Sequence, residues 1–285
     1  MRFSKYHGLG NDFVLLDQLS GGEPIEPALA RQACDRRRGI GADGVLTVLP
    51  SKAGVARMHV TNADGGVAQM CGNGIRCVAK YLADERGLAG EELLVETDAG
   101  LKTCQLVRMA GRVESVAVDM GLPALEPATI PLRSGLAPGR FVRQPVAVEG
   151  VQVVGTAVSM GNPHFVVFDL PASQSPEVLG PRLEVHPLFP QRANIEFARV
   201  EGDGLAVTVW ERGVGFTQAC GTGACAAMVA AVVEGRLPAG GYRPVRLPGG
   251  VLQVRVPADL SSVWMLGPAE RVFAGEWEPS PLKST

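Results

Sequence analysis

MCGNGIRCVAKYLADERG at residues 70–87 and ACGTGACAAMVAAVVEG at residues 219–235 decide how this chain folds. Each runs from a cysteine through a two-glycine turn into a stretch of helical length. Each then stops at a glycine, Gly87 or Gly235, placed where a left-handed helix stop is expected. Cys71 and Cys220 lie 149 residues apart, as do Gly74 and Gly223, and the two stop glycines lie 148 apart. The stretch before each helix aligns at the same offset and pairs Asn62 with Glu211, while the strings GNDF from Gly10 and GNPHF from Gly161 are 151 apart. One match of this kind is a common glycine-rich turn; several at one offset in a 285-residue chain indicate two copies of one unit. The Pro/Gly-rich stretch 121–139 is the expected boundary.

Between these helices, short runs of Val, Leu, Ile and Thr at 14–16, 45–48, 113–118, 166–168, 207–210 and 251–256 alternate with turn residues, and the chain holds 36 Gly and 21 Pro. This is the pattern of many short strands. Helices are expected only at 28–37, 75–86 and 223–234. An apolar fraction of 46% with 20% charged residues is ordinary for a globular protein and excludes a disordered or collagen-like chain. With 27 basic against 29 acidic residues there is no electrostatic footprint for nucleic acid or an anionic membrane, and the triplet Arg36, Arg37, Arg38 is too short to supply one. The longest apolar run, 224–233, has half the length of a membrane span and reads as a buried helix. The polar start MRFSKYHG lacks the pattern of a secretory signal, so a cytoplasmic location is expected, and with it six free thiols rather than a disulfide framework.

Cys71 and Cys220 stand apart from the other four cysteines. Each sits at the start of a helix, where first-turn N–H groups lack intrahelical partners and carry partial positive charge. Such a turn can hold a carboxylate and is expected to favour thiolate over thiol. Cys77 and Cys225 fall inside the helices and read as core packing, and Cys34 and Cys104 lack the helix-start setting. If the two copies pack about a pseudo-twofold axis, two thiols flank one bound carboxylate ligand. That arrangement suits removal of a proton from one face of the adjacent carbon and its return to the other, with acid and base exchanging roles in reverse. Hydrolysis by one cysteine with His164 gives no reason for the duplication. A structural metal is not expected, because the cysteine spacings are too wide and no histidine pair lies near.

At these residues the sequence resembles the diaminopimelate epimerase family. The resemblance extends along essentially the whole chain through KYHGLGNDFVLLD (5–17), RRRGIGADG (36–44), NADGGVAQMCGNGIRC (62–77), MGNPHFVV (160–167), RANIEFARV (192–200) and WERGVGFTQACGTGACAA (210–227). Together these strings are specific, whereas the Cys-Gly-x-Gly element alone also occurs in the related proline racemase family. The resemblance implies cofactor-independent epimerisation of LL-diaminopimelate to the meso form, with Cys71 and Cys220 as the acid and base. It implies that the reacting carboxylate binds near Gly72, Asn73, Gly74, Gly221 and Thr222, and that Asn11, Asn62, Asn162, Asn194, Glu211 and Arg212 contact substrate. Arg212 suits a distal carboxylate through its planar fork. The asparagines read alone are turn residues. His164 and Glu211 match positions thought to tune the cysteine pKa values; His164 read alone is a hydrogen-bonded core residue. His7 matches a family position without an assigned role, and His59 and His186 read as structural or exposed.

Two departures stand out. Some family members carry glutamine where this chain has Gly44, and many carry glutamate where it has Phe216, expected to pack against the wall of the site. The fold implied is α/β in the broad α+β sense: two pseudo-symmetric domains, each a mostly antiparallel sheet curled around a central helix. Residues 1–118 with 268–285 form the expected amino-terminal domain carrying Cys71, and 119–267 the other, carrying Cys220. The expected partner is a small molecule, with a homodimer implied by the family.

Overall fold

The computed structural model describes residues 1–133, 135–136 and 139–281. Residues 134, 137 and 138 of the expected boundary and 282–285 of the tail lie outside them. Two compact units are distinguished, Met1–Val118 with the residues from Leu266 onward, and Asp119–Met265.

The first unit contains β1 (Arg2–Gly8), β2 (Asn11–Asp17), α1 (Pro27–Cys34), β3 (Gly44–Leu49), β4 (Ala56–Asn62), β5 (Val67–Ala68), α2 (Gly72–Asp84), β6 (Glu92–Thr97), β7 (Gly100–Met109) and most of β8 (Arg112–Gly121), whose last three residues fall in the second. The second contains β9 (Gln144–Val148), β10 (Val151–Ser159), β11 (Pro163–Val167), α3 (Pro176–Glu184), β12 (Asn194–Glu201), β13 (Gly204–Glu211), β14 (Gly215–Phe216), α4 (Gly221–Val233), β15 (Arg243–Leu247) and β16 (Gly250–Arg255). The chain returns through β17 (Val263–Pro268) to β18 (Glu270–Glu276).

The internal repeat is a repeat of topology. In the first unit β1 and β2 are antiparallel, β2 and β3 parallel, β3 and β4 antiparallel, β4 and β6 parallel, and β6 and β7 antiparallel, with β5 on β4. In the second, β10, β11, β12, β13, β15 and β16 follow the same sequence of pairings, with β14 on β13. Each parallel step needs a crossover, and helices supply it. α1 and α3 occupy one crossover, α2 and α4 the other. α2 packs against β1, β2, β3, β4, β6 and β7, and α4 against β10 to β13, β15 and β16, so each sheet wraps its own helix. This is the expected fold class.

A helix that is apolar on every side can be enclosed in this way. α4 is so from Ala224 to Ala231, all fully buried or nearly so. Gly87 and Gly235 have φ of 68° and 70°, the left-handed stop that the sequence indicates.

Two helical expectations are corrected. α1 ends at Cys34, before Arg37, because Asp35 Oδ1 accepts the backbone N–H groups of Arg37 and Arg38 at 2.8 and 2.9 Å and turns the chain out of the helix. α3 is a helix the periodicity does not reveal. Pro176 at its first turn is a compatible start, but Pro181 inside it removes a hydrogen bond and breaks the apolar pattern.

Candidate active site

Strands β4 and β5 lead into α2, for which Cys71 is the N-cap, with extended backbone at φ −137° and ψ 113°. A side chain at the N-cap reaches back over the first turn. Here Cys71 Sγ accepts the Gly74 N–H at 3.4 Å, and the half-buried thiol reaches Asn11 Oδ1 at 4.0 Å. Asn11 opens β2, and its amide is held in one orientation. Nδ2 donates to Asp43 Oδ2 at 2.8 Å, and Oδ1 accepts from Asn73 Nδ2 at 3.0 Å. Asn73 Oδ1 accepts in turn from Arg76 Nη2 at 2.9 Å.

Behind Asn11, Arg36 donates to both oxygens of Asp12 and to Asp43 Oδ1, and Lys5 pairs with Asp12 at 2.5 Å. Burial raises the Asp12 carboxyl, but the hydrogen bonds and charges of Arg36 and Lys5 outweigh it and hold it at about 2. Asp12 is therefore ionised at neutral pH and anchors Arg36 beside Asp43.

The second unit repeats the N-cap with different company. Cys220 caps α4 with φ −115° and ψ 110°, and its Sγ accepts the Gly223 N–H at 3.3 Å. It is only 7% exposed. Thr222 Oγ1 lies 3.6 Å from Sγ and accepts from Asn162 Nδ2 at 3.5 Å. Asn162 Oδ1 is 2.9 Å from His164 Nε2, and His164 Nδ1 is 2.7 Å from Glu196 Oε1, with both of the latter side chains fully buried on the adjacent parallel strands β11 and β12. Glu211, at the end of β13, accepts the Thr217 hydroxyl at 2.5 Å and a hydrogen bond from the Cys220 thiol.

The charge state of Cys220 corrects the expectation drawn from its helix start. Burial pushes this thiol well above its ordinary value, and the Glu211 carboxylate pushes it further. The hydrogen bonds from Thr222 and Gly223 act in the opposite direction and do not prevail. A helix end offers partial charge only, whereas desolvation and the neighbouring Glu211 act on the full charge of a thiolate. Cys220 thus rests as a thiol. Burial also raises the carboxyls of Glu196, opposed by His164, and Glu211, opposed by the Thr217 hydroxyl. Cys77 and Cys104 are pushed up to about 12, and Cys34 to about 11, by burial first of all. Cys225 is fully buried.

The remaining candidates fall as follows. Gly72, Asn73 and Gly74 form the first turn of α2, and Gly221 and Thr222 that of α4. Gly74 N–H is already directed at Cys71 Sγ. Asn62 is exposed at the end of β4. Asn194 spends its amide on the protein, with Oδ1 accepting the Arg212 N–H at 2.9 Å and Nδ2 donating to the Pro163 carbonyl at 3.1 Å, so it fixes the backbone of Arg212. Arg212 is exposed, with Nη1 donating to the Gln191 carbonyl at 3.1 Å. Phe216 stands edge-on to Trp210, ring centroids 5.0 Å apart, and remains 40% exposed. At Gly44 a Cβ would come within 2.9 Å of the Thr61 carbonyl oxygen, so β4 leaves no room for a glutamine here.

Four residues of this network escape the sequence reading. Arg76 and Asp43 orient Asn73 and Asn11. Glu184, at the end of the unforeseen α3, accepts from Trp210 Nε1 at 2.8 Å and Gly213 N–H at 2.9 Å, holding the turn that carries Glu211 and Arg212. Glu196 leaves a usable signal, a lone acid within the otherwise largely apolar stretch ANIEFA at 193–198.

Gly223 shows how tightly this half is built, since a Cβ there would lie 2.9 Å from Glu196 Oε1 and 3.2 Å from Cys220 Sγ. Gly223→Ala is expected to displace one of the two and to cost about 1–3 kcal/mol of stability. Chemical denaturation checks this, and an unchanged midpoint counts against the packing described.

The profile of the diaminopimelate epimerase family matches residues 3–126 and 156–272. Diaminopimelate epimerase of Desulforudis audaxviator (strain MP104C) is 51% identical over 281 residues, covering 97% of this chain and 99% of that protein. Diaminopimelate epimerase of Moorella thermoacetica (strain ATCC 39073 / JCM 9320) is 48% identical over 281 residues, with the same two coverages. Among solved structures, a probable proline racemase from Agrobacterium radiobacter K84 with bound carbonate superposes with a TM-score of 0.72 at 16% identity, covering 99% of this chain and 94% of that one. A hydroxyproline epimerase from Agrobacterium vitis with bound trans-4-hydroxy-L-proline gives 0.69 at 17%, covering 96% and 90%. At such identities these two share the fold. The family profile and the sequence relatives, which span nearly the full length, go further: the chain belongs to the diaminopimelate epimerase family.

Proposed function

We propose that this chain interconverts LL- and meso-diaminopimelate by two-base proton transfer, with Cys71 and Cys220 acting on opposite faces of one α-carbon. The amino-acid epimerase activity follows from the family. The observation that carries the assignment of the two thiols is their equivalence: each is the N-cap of the enclosed helix in one of two units of the same topology, and each accepts the N–H of the third residue on. In one direction a Cys71 thiolate takes the α-proton and becomes a thiol, while the electron pair stays on carbon. Cys220, resting as a thiol, gives its proton to the other face and becomes the thiolate. In reverse the Cys220 thiolate takes the α-proton and the Cys71 thiol gives its proton to the other face, which restores the starting pair, with Glu211 beside Cys220 throughout.

The first-turn amides of Gly72, Asn73, Gly221 and Thr222 suit the carboxylate on the reacting carbon, where negative charge builds as the proton leaves. Asn11, Asn62, Asn162 and Arg212 are the side chains for the rest of the ligand, with Arg212 for the distal carboxylate. His164 and Glu211 tune Cys220, and Asn194 acts by holding Arg212. Thiol chemistry without pyridoxal phosphate or metal, a homodimer and a cytoplasmic location belong to the same reading. No helix among the described residues is long and apolar enough to cross a membrane.

The test is isotope exchange. The pure protein in deuterium oxide is expected to place deuterium at the α-carbon of LL-diaminopimelate and to leave proline unlabelled. Exchange into proline alone, or into neither, overturns the reading. Light scattering reads the dimer separately.

A further inference from the structure

Proton transfer by Cys220 requires a route for stabilising its sulfur when it carries charge, and the second unit contains a continuous line of polar side chains ending there. It runs Glu196, His164, Asn162, Thr222, Cys220, with successive separations of 2.7, 2.9, 3.5 and 3.6 Å. We propose that Glu196 is a positioning residue for Cys220: by meeting His164 Nδ1 it keeps a proton on His164 Nε2, and so aims every donor in the line at the Cys220 sulfur. This rests on the reading of Cys220 as one of the two proton-transfer groups.

The direction follows from which atoms can donate. An amide oxygen only accepts and an amide nitrogen only donates. Asn162 Oδ1 faces His164 Nε2, so Nε2 carries a hydrogen. Asn162 Nδ2 donates to Thr222 Oγ1, so the Thr222 hydroxyl hydrogen is left for another acceptor, and Cys220 Sγ is the neighbour. The reverse arrangement begins with His164 protonated at Nδ1 alone. Nε2 then accepts, the Asn162 amide turns over, and Thr222 donates to Asn162 instead of to sulfur.

What prevents the reversal is a second proton, lying between His164 Nδ1 and Glu196 Oε1. The pair is then neutral in sum, either as imidazolium with carboxylate or as imidazole with carboxylic acid. Complete burial favours the uncharged form. Glu196 Oε2 has no well-formed hydrogen bond among the described residues, which is tolerable for the carbonyl oxygen of an acid and costly on a carboxylate. Burial raising the Glu196 carboxyl agrees with this. The titratable groups around Glu196 are His164 on β11, Glu211 on β13 and Cys220 at the start of α4. The missing side chain at Gly223 leaves room for Oε1 beside the sulfur. A neutral pair also means that His164 acts on Cys220 through hydrogen-bond direction and not as a bare cation.

Two variants and two readouts test this on the full-length protein. Nitrogen-15 spectra of labelled histidine report the His164 tautomer, and deuterium exchange into LL-diaminopimelate reports the rate. The wild type and Glu196→Gln, whose amide can donate to Nδ1, are expected to carry the hydrogen on Nε2. Glu196→Leu is expected to lose that fixed tautomer and to exchange substrate roughly 10- to 100-fold more slowly, the effect of losing one hydrogen bond to a charged group. Glu196→Gln is expected to recover most of that loss. A wild-type His164 protonated at Nδ1 alone, a folded Glu196→Leu protein exchanging at the wild-type rate, or a Gln variant no faster than Leu overturns the proposal. Should Glu196→Leu not fold, the tautomers of the wild type and the Gln variant decide. A wild type that exchanges no substrate overturns the functional reading instead, while the tautomer measurement still judges Glu196.

Discussion

Cys71→Ala and Cys220→Ala are each expected to abolish epimerisation, with the rate of conversion falling by about 10²–10⁴-fold or more, the contribution of one positioned acid or base. Both singles are expected to reach nearly the same floor, and the double variant to fall little further, because a two-base transfer fails when either partner is missing. Folding should survive, since each substitution removes one sulfur atom at an N-cap and leaves the helix interior untouched. Near-wild-type conversion of LL- to meso-diaminopimelate by either variant, measured by chiral separation of the products, rejects the assignment of the two thiols. Cys220 lies among two acids and rests as a thiol, and the Cys71 thiol reaches the Asn11 amide oxygen.

Arg76→Met is expected to give the largest loss of stability. Arg76 is fully buried in α2, where Nε donates to the Pro268 carbonyl at 3.1 Å, Nη1 to the Gly72 carbonyl at 3.0 Å and Nη2 to Asn73 Oδ1 at 2.9 Å. Methionine keeps much of the apolar stem and none of the donors. Acceptors left unpaired in the interior cost about 1–3 kcal/mol each, so a net loss of about 3–5 kcal/mol is expected after partial relaxation. For a unit of this size that lowers Tm by roughly 10 °C. Calorimetry checks this, and a shift below about 2 °C would show that the guanidinium is dispensable. Activity should fall as well, because Arg76 orients Asn73, Asn73 orients Asn11, and Asn11 meets the Cys71 thiol.

Much of the architecture is legible in the residues, and the reason is local. A cysteine, two glycines, an apolar run and a terminal glycine specify a capped helix through neighbours within a few positions. The same local code appearing twice identifies the duplicated unit that the strand pairings then display. Where local signals conflict, the reading fails. In α3 a proline sits inside the helix, and the apolar contacts of Leu179 and Leu183 with the core of their unit override it. At α1 the helix pattern continues past Cys34, but the side chain of Asp35 offers the backbone a competing partner.

The site divides in the same way. Sequence alone determines which residues are duplicated, where the two thiols stand at their helix starts, and which short strings bring asparagine, histidine and acid near them in the chain. Tertiary structure alone decides the chemistry those groups have. It buries Cys220 beside Glu211 and Glu196, locks His164 between Glu196 and Asn162, and turns Asn194 to the support of Arg212. A proton's affinity depends on the solvent removed and the charges brought within a few ångströms, and strands far apart in the chain supply both.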